Sequence, residues 1–412
     1  ASHHITVRRG RHAVIRIRQR FNDTELHDVA QAVTSEFARP EIAACIHTGD
    51  RVAVCVGSRG IYKIDKIILA AVTELKKYGA KPFILPAMGS HGGATAEGQR
   101  EVLASYGVTE ERMGVPIDAS MDTIFLGETE TLHIPVYFSR AAYEADWVLP
   151  VNRVKAHTDF YGPIESGLNK MITIGLGKET GCTALHRCGT TRFAQIIPEA
   201  SKKVLSTGKV RFGLAIVENG YDHTALIRAV PDVGFHTEET ELLKLSKEMM
   251  PRLPFRSIDV LIVENFGKDI SGSGMDPNIT GRMSVGPKEG YNGPAIQRIV
   301  VLNLTEASHG NAIALNAADF ITRHVFEQID LKATYRNSLA CCNPISGQIP
   351  VIADNEEEAI AMAVASCRDI DPERPRIVRI KNTLALSELL ISEGLLDEAR
   401  FDSAIELPED MP

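Results

Sequence analysis

A glycine-rich, apolar stretch at residues 167–177 carries a single lysine, Lys170. His157 lies 13 residues before this lysine, and His186 lies 16 residues after it. Glycines allow a ligand to approach the backbone closely, and a lysine among apolar residues is costly to bury unless it is paired or covalently modified. The same pattern is typical of a buried helix start whose lysine extends to solvent. The residues upstream favour a ligand site over a buried helix start.

Three polar side chains follow predicted parallel strands. Buried, β-branched runs predict strands at residues 51–56, 82–86 and 146–151, with helices at about 63–78 and 96–106 between and after the first two. Arg59, His91 and His157 each come shortly after one of these strands. Because ligands of open α/β sheets bind at the carboxyl edge of the strands, we expect these side chains to converge.

Histidines and a lysine in one crevice suit either a metal site or acid–base chemistry near neutral pH. His91, His157 and His186 come from separate segments without HExxH-type spacing, so a three-histidine zinc hydrolase has no local signal. The sequence contains no GxSxG elbow, P-loop or dinucleotide fingerprint. A cysteine nucleophile, Cys182 or Cys188 beside His186, is a further alternative. The residues alone leave the reaction open.

The ordered set of these residues resembles the nickel-pincer-nucleotide lactate racemases and their homologues. The separations agree with that family: 66 residues from His91 to His157, and 16 from Lys170 to His186. The resemblance covers much of residues 50–190 and rests on Ser58-Arg59, Gly89-Ser90-His91, His157, Ser166-Gly167 leading to Lys170, and His186.

The resemblance implies a cofactor, pyridinium-3-thioamide-5-thiocarboxylic acid mononucleotide, whose sulfur groups grip one Ni²⁺. Lys170 would hold it through a thioamide linkage, and His186 would complete the nickel coordination. His91 and His157 would be the two acid–base residues, one on each face of the substrate. The remaining implied contacts to the cofactor come from Ser58, Arg59, Ser166 and Gly167, and Arg59 could also contact the substrate.

A second domain is expected to supply a cation for the substrate carboxylate, with Lys268 as first candidate and Arg282 as reserve. The chain departs from the family pattern at Val56, where an aspartate is usual three residues before the arginine. The spacing from His157 to Lys170 is also longer than expected, with residues 163–165 as an insertion. These departures concern the substrate more than the reaction.

The predicted fold class is α/β, with two domains that each contain a mostly parallel sheet flanked by helices and an active site in the cleft between them. Residues 1–252 are predicted to form the cofactor-binding domain, starting with a strand near residues 13–17 and a helix at about 25–37. A proline-rich linker at 251–254 precedes a smaller domain at 253–380, which includes a long glycine-rich loop at 264–293 and a helix near 314–326. Residues 381–412 are predicted to be a C-terminal helix and tail, packing back on the first domain.

Composition narrows the range of partners and locations. A net charge of -8 and a pI near 5.9 argue against nucleic acid or an anionic membrane as the main partner. Seven cysteines without metal-ligand spacing suit a reducing compartment, and no run of eighteen apolar residues predicts a membrane span. We therefore expect a cytoplasmic protein with a small-molecule substrate, served by cofactor-maturation proteins and able to form a homo-oligomer.

These observations lead to one primary hypothesis about function. The chain is expected to be an isomerase, a racemase or epimerase that inverts C2 of a 2-hydroxy acid by proton-coupled hydride transfer through a 2-keto acid. Removing hydride requires a cofactor, because side chains do not accept it. The alternatives are a zinc-type hydrolase built on the three histidines and a non-catalytic carrier of the modified nucleotide with Lys170 as its attachment point.

Overall fold

The computed structural model describes residues 14–58 and 60–408, and Arg59 lies outside the described residues. The chain divides into two compact units. One unit is Asn22–Met250, and the other combines residues 14–21 with residues 251–408. The boundary after Met250 coincides with the linker that the sequence predicts at residues 251–254.

Strands and helices alternate along much of the chain. The strands are β1 (Val14–Gln19), β2 (Arg51–Val56), β3 (Lys81–Pro86), β4 (Thr123–Glu128), β5 (Pro135–Ser139), β6 (Trp147–Arg153), β7 (Phe212–Glu218), β8 (Thr224–Pro231), β9 (Ser257–Val263), β10 (Ala295–Val301), β11 (Phe320–Thr322), β12 (Val351–Ala353), β13 (Ile377–Ile380), β14 (Glu388–Ser392) and β15 (Ile405–Glu406). The helices are α1 (Val29–Phe37), α2 (Pro40–Ala43), α3 (Ile64–Lys77), α4 (Ala96–Ser105), α5 (Glu110–Met113), α6 (Arg140–Glu144), α7 (Leu168–Lys170), α8 (Lys178–His186), α9 (Phe193–Leu205), α10 (Thr237–Met249), α11 (Pro277–Thr280), α12 (Arg323–Gln328), α13 (Leu331–Ala340), α14 (Glu356–Ala365) and α15 (Leu396–Phe401).

The unit Asn22–Met250 is built on a five-stranded sheet in the order β3-β2-β6-β7-β8. The first four strands are parallel, and β8 returns antiparallel to β7. In β2, Val52, Val54 and Val56 pack into one hydrophobic cluster, whereas Ala53 and Cys55 pack into another on the opposite face. Burial on both faces explains why this strand is a continuous apolar run rather than an alternating one.

The second unit contains an eight-stranded sheet in the order β12-β11-β10-β9-β13-β14-β1-β15. Neighbouring strands are parallel from β12 through to β13. The remaining pairs, β13 with β14, β14 with β1 and β1 with β15, are antiparallel. Its hydrophobic core joins the central strands β9 and β10 to helix α14 through residues such as Val260, Val300 and Ala359. Both sheets are therefore parallel-rich and covered by helices, and the predicted mixed α/β class is confirmed. The location of a site in a cleft stays a prediction.

The structure differs from the predicted domain limits at both ends of the chain. Strand β1 belongs to the second unit's sheet, where Val14 pairs with Ser392, although residues 1–252 were expected to form one domain. Residues 381–408 contain β14, the short helix α15 and β15 in that same unit, where a C-terminal helix and tail were expected. Strand pairing across more than 370 residues leaves no local signal in the sequence.

One predicted helix is also replaced by other elements. Residues 314–326 form a single 3₁₀ turn, the short strand β11 and the first part of helix α12. Thr322 ends the strand and caps the helix, since its hydroxyl accepts a hydrogen bond from the backbone N–H of Val325. Among the helices described, none has the length and apolar character needed to cross a lipid bilayer.

Candidate active site

His91 lies in the loop after β3 and is held by Ser58, which follows the neighbouring strand β2. The Ser58 hydroxyl Oγ and the His91 Nδ1 atom are 2.6 Å apart. The Tyr106 hydroxyl donates a hydrogen bond of 2.6 Å to the backbone carbonyl of Ser58 and so fixes the loop on that side. His91 is exposed, and Ser58 is the partner of its Nδ1 atom. Ser58, whose predicted contact with a cofactor stays a prediction, contacts the predicted acid–base residue.

A buried glutamine and a buried lysine support the His91 loop from behind. The Gln99 amide Nε2 donates to the carbonyls of Gly89 at 2.9 Å and of His91 at 3.2 Å. The Lys178 ammonium Nζ donates to Gln99 Oε1 at 3.3 Å and to the carbonyl of Pro86, the last residue of β3, at 2.8 Å. Burial lowers the pKa of Lys178 to about 8. Sequence analysis missed both residues, because nothing in a local window marks a side chain that supports a loop.

His157 follows β6 and has a partner at each ring nitrogen. The backbone N–H of Asp159 donates to Nδ1 at 3.0 Å, and the Lys170 Nζ atom lies 2.6 Å from Nε2. The ring of Phe160 packs against the imidazole with 4.4 Å between ring centroids. The structure therefore brings the predicted acid–base histidine into direct contact with the predicted tethering lysine.

A buried carboxylate organises the loop that carries His157. Glu165 accepts hydrogen bonds from the backbone N–H groups of His157 at 2.6 Å and Gly162 at 3.2 Å, and from Lys247 Nζ at 2.5 Å. Only 1% of Glu165 is exposed. Residues 163–165, which the sequence suggested as an insertion, thus contribute the group that shapes the loop. Glu165 is a supporting residue of the candidate site that sequence reasoning missed.

The turn that presents Lys170 starts at Gly167 and rests on a second buried carboxyl. Glu239 Oε2 accepts hydrogen bonds from the backbone N–H groups of Leu168 at 2.5 Å and Asn169 at 3.1 Å. A Cβ atom at Gly167 would lie 2.6 Å from the carboxyl carbon of Glu239, so only glycine fits. Within the described ranges, Glu239 Oε1 has no hydrogen-bond partner. Burial raises the pKa of Glu239 to about 7 against the effect of its hydrogen bonds.

A buried polar network fixes the turn from the other side. The Asn169 amide Nδ2 donates to the carbonyl of Phe235 at 2.7 Å, and its Oδ1 accepts from the Ser201 hydroxyl. Immediately after Lys170, residues Met171–Gly175 form a π-helical turn, a rare feature that is frequent at functional sites. Helix α7 is too short to be stable by itself, and buried hydrogen-bond partners on both sides hold it in place.

His186 lies in the last turn of α8, where Cys182 orients its ring. The His186 Nδ1 atom lies 2.7 Å from the Cys182 carbonyl oxygen and 3.4 Å from its Sγ atom. Hydrogen bonding to Cys182 raises the pKa of His186. Burial acts to raise the pKa of Cys182, but its hydrogen bond to His186 and the charge of that ring outweigh burial and lower it. A neutral His186 that donates through Nδ1 to the carbonyl carries its lone pair on Nε2, the atom that would bind a metal.

Contacts between these segments join them into one cluster within the unit Asn22–Met250. The Ser90 hydroxyl lies 3.6 Å from Cys182 Sγ, and the Gly89 N–H donates to the carbonyl of Gly175 at 3.1 Å. Two phenylalanine rings connect His186 with His157. The ring centroid of Phe193 lies 5.0 Å from that of His186 and 5.7 Å from that of Phe160, both in edge-to-face contact. The ring of Phe160 in turn packs on His157. The segments of His91, His157, Lys170 and His186 are therefore neighbours, as the sequence predicted.

The other predicted site residues have separate surroundings. Ser166 pairs through its backbone with Lys155, which closes the base of the His157 loop. Lys268 belongs to the second unit and is exposed. Arg282, also in that unit, donates to Asp319 at 2.5 Å and to the carbonyls of Ile296 and Gln297, contacts that occupy its guanidinium in holding its own loop. Across residues 14–58 and 60–408, no group of three or more His, Cys, Asp or Glu side chains is arranged to hold a metal.

Comparisons with solved structures agree with this fold. Solved structures with the same fold include the lactate racemase apoprotein from Thermoanaerobacterium thermosaccharolyticum, which is 13% identical with a TM-score of 0.58 and matches over 91% of this chain and 99% of its own. A protein from Thermotoga maritima matches at 13% identity with a TM-score of 0.52, over 80% of this chain and 83% of its own. At this identity both show the fold alone. No curated protein matches the sequence.

The N-terminal part of the sequence matches a known family domain. Residues 4–195 match the family model of the lactate racemase N-terminal domain, and this region contains His91, His157, Lys170 and His186. Residues 4–195 are therefore homologous to the lactate racemase N-terminal domain.

Proposed function

We propose that the protein is a racemase or epimerase that inverts C2 of a 2-hydroxy acid with the help of a nickel-pincer nucleotide. The observation that carries the proposal is the contact between Lys170 and His157 within a cluster that also includes the loops of His91 and His186. The match of residues 4–195 to the lactate racemase N-terminal domain gives this cluster its chemical context.

The donor set of the cluster fits the proposed cofactor. Lys170 offers an amine for covalent attachment, and His186 offers one imidazole nitrogen, which is sufficient where sulfur groups provide the other ligands of a square-planar nickel. When bound, the nucleotide would supply reversible hydride acceptance, which no side chain provides. Loading would depend on the cofactor-maturation proteins proposed as partners.

The two proposed acid–base histidines would move the hydroxyl proton of the substrate. One imidazole would take the proton from the C2 hydroxyl oxygen, and the other would return a proton to that oxygen when the opposite enantiomer forms. Ser58 would keep the Nε2 atom of His91 directed toward the substrate, and Glu165 would fix the backbone of His157. Arg59 and Lys268 are the cations proposed to bind the substrate carboxylate.

Intact-mass analysis tests the attachment. Protein produced together with cofactor-maturation proteins should show a mass increment at Lys170 and one nickel per chain, and protein produced without them should show neither. Lys170→Ala should abolish the increment. Bound zinc without an adduct would instead support the metallohydrolase alternative.

Assays on single-enantiomer 2-hydroxy acids then separate an enzyme from a carrier. His91→Ala and His157→Ala should each lower racemisation by about 100-fold or more, the usual contribution of a proton-transferring residue, with nickel retained. His186→Ala should lose nickel. Loaded protein that racemises no member of a panel of lactate, malate, sugar acids and aromatic hydroxy acids would favour the carrier.

A further inference from the structure

The hydrogen bonds around His157 determine which of its ring nitrogens carries a proton. A backbone N–H only donates, and that of Asp159 points at Nδ1 from 3.0 Å. The Nδ1 atom therefore contributes its lone pair and carries no hydrogen. A neutral imidazole has one N–H, so in His157 this hydrogen lies on Nε2.

This tautomer in turn determines the state of Lys170. The Nε2 atom of His157 is 2.6 Å from Lys170 Nζ, so its N–H donates to that nitrogen. An ammonium group has three donors and no lone pair, and it cannot accept. Lys170 must therefore be an uncharged amine. The alternative, an ammonium that donates to Nε2, would leave His157 without a proton on either nitrogen, as an imidazolate.

The surroundings of Lys170 also disfavour its charged form. Lys170 is half-buried between the buried residues Asn169 and Met171, in a turn whose next residues are buried and mostly apolar. The imidazole of His186 lies within electrostatic reach, and the two groups repel each other when both are cationic. Desolvation and a nearby like charge both favour the neutral amine.

We propose that His157 holds Lys170 as an unprotonated, nucleophilic amine, ready for covalent attachment before any ligand is bound. The inference deepens and rests on the proposed function, in which Lys170 is the attachment residue. The Lys170 nitrogen forms a bond to the carbon of an activated acyl or thioacyl group, the leaving group departs with the electron pair of the bond that breaks, and the surplus amine proton leaves with it. No oxidant or reductant is needed.

Attachment would change the partner of His157. The nitrogen of an amide or thioamide has no basic lone pair, so the Nε2–H bond to Lys170 would be lost on acylation. The Nε2–H of His157 would then be released to donate a hydrogen bond to a substrate oxygen. The same imidazole thus serves two stages in order: first it directs a hydrogen bond to the amine, and then it takes part in turnover.

Trace labelling of cofactor-free protein with acetic anhydride tests the inference without any turnover. Acetylation forms the N–C bond and releases acetic acid, and peptides from a Glu-specific protease report each lysine by mass spectrometry. Nα-acetyllysine in the same tube is the reference, and its rate should rise about 100-fold from pH 7 to pH 9 because its pKa is about 10.4. Lys170, already an amine, should change less than about threefold. Because each lysine is compared with itself at pH 7 and pH 9, the ratio of its two acetylation rates does not depend on how accessible its side chain is.

Two variants identify the role of the imidazole. His157→Phe keeps an aromatic ring against Phe160 but removes both nitrogens, and Lys170 should then follow the steep profile of the reference. Phe160→Leu alters the same packing without touching the hydrogen bond and should keep the flat profile. A steep profile in the wild type, or a flat one in His157→Phe, would overturn the inference.

A second measurement holds even if the variants fold poorly. Nitrogen-15 NMR of histidine-labelled wild type should show His157 with its hydrogen on Nε2 and a lone pair on Nδ1; hydrogen on Nδ1 would overturn the inference. These results are independent of the racemase proposal. A steep labelling profile would leave racemisation intact, and a failure to racemise would leave a flat profile intact.

Discussion

The buried carboxyl of Glu239 makes a quantitative prediction about stability and pH. Replacing it in Glu239→Gln keeps the shape and an acceptor oxygen for the N–H groups of Leu168 and Asn169 but removes the ionisable group. Burial raises the pKa of Glu239 from 4.5 to about 7 in the folded protein, and the unfolded chain keeps the ordinary value. The folded state is therefore destabilised as the pH rises from 4.5 to 7, because the unfolded chain releases this proton first.

The size of the effect follows from linkage. One pKa unit corresponds to about 1.4 kcal/mol, so ionisation of this carboxyl costs the folded state about 3 kcal/mol above pH 7. Between pH 5.5 and pH 8, the free energy of unfolding of Glu239→Gln should therefore rise by about 2 kcal/mol relative to the wild type. Any constant cost of the amide cancels in this comparison.

Urea denaturation followed by tryptophan fluorescence measures the difference. Trp147 is the only tryptophan of the chain and is fully buried in β6, so its emission reports the unit Asn22–Met250 that contains Glu239. Glu241→Gln, an exposed position on the same helix, is the control and should change the free energy of unfolding by less than about 0.5 kcal/mol at either pH. The reasoning would be refuted if the difference in free energy of unfolding between Glu239→Gln and the wild type stayed constant or decreased as the pH rose. That result would show that the carboxyl is charged in the folded protein and stabilised by the start of helix α7.

Further predictions concern the groups that position the site. Gly167→Ala should lower the free energy of unfolding of its unit by about 1–3 kcal/mol, because the added methyl group overlaps a buried carboxyl, whereas Gly60→Ala, with nothing within 4 Å, should have little effect in the same fluorescence assay. Lys178→Met removes two buried hydrogen bonds and should speed amide hydrogen exchange in the loop of His91 by about tenfold or more; unchanged exchange would exclude a supporting role. Ser58→Ala removes the hydroxyl partner of the His91 Nδ1 atom and should lower kcat for racemisation by about tenfold with little change in KM. An effect on KM alone would argue for substrate or cofactor contact instead.

Much of the sheet that positions the site was predictable from local patterns. Residues 51–56 are a continuous apolar run, which is typical of a strand buried on both faces, and β2 has those limits. His91 and His157 each follow such a strand, and parallel topology is sufficient to bring strand ends to one edge. The sequence thus predicted which segments would meet.

The residues that support the loops of the candidate site could not be predicted from local sequence patterns. Glu239 lies 69 residues after Lys170 in the chain, and its carboxyl is recognisable only once helix α10 is packed under the start of α7. Glu165 lies two residues after Pro163 in a loop without periodicity, and it is buried next to the pairing of Lys155 with Ser166, which no local window shows. The contact of Ser58 with His91 was beyond a local pattern for the same reason, because it joins two different loops.

The position of strand β1 has a practical consequence for dissecting the chain. Residues 14–18 pair with β14, and residues 18 and 19 pair with β15, so the whole unit Asn22–Met250 is an insertion between two parts of the other unit. A fragment cut at residue 250 that keeps β1 would carry a strand whose hydrogen-bonding partners have been removed, and unpaired strands promote aggregation. A fragment that starts at Asn22 avoids that liability and retains the residues that surround Lys170.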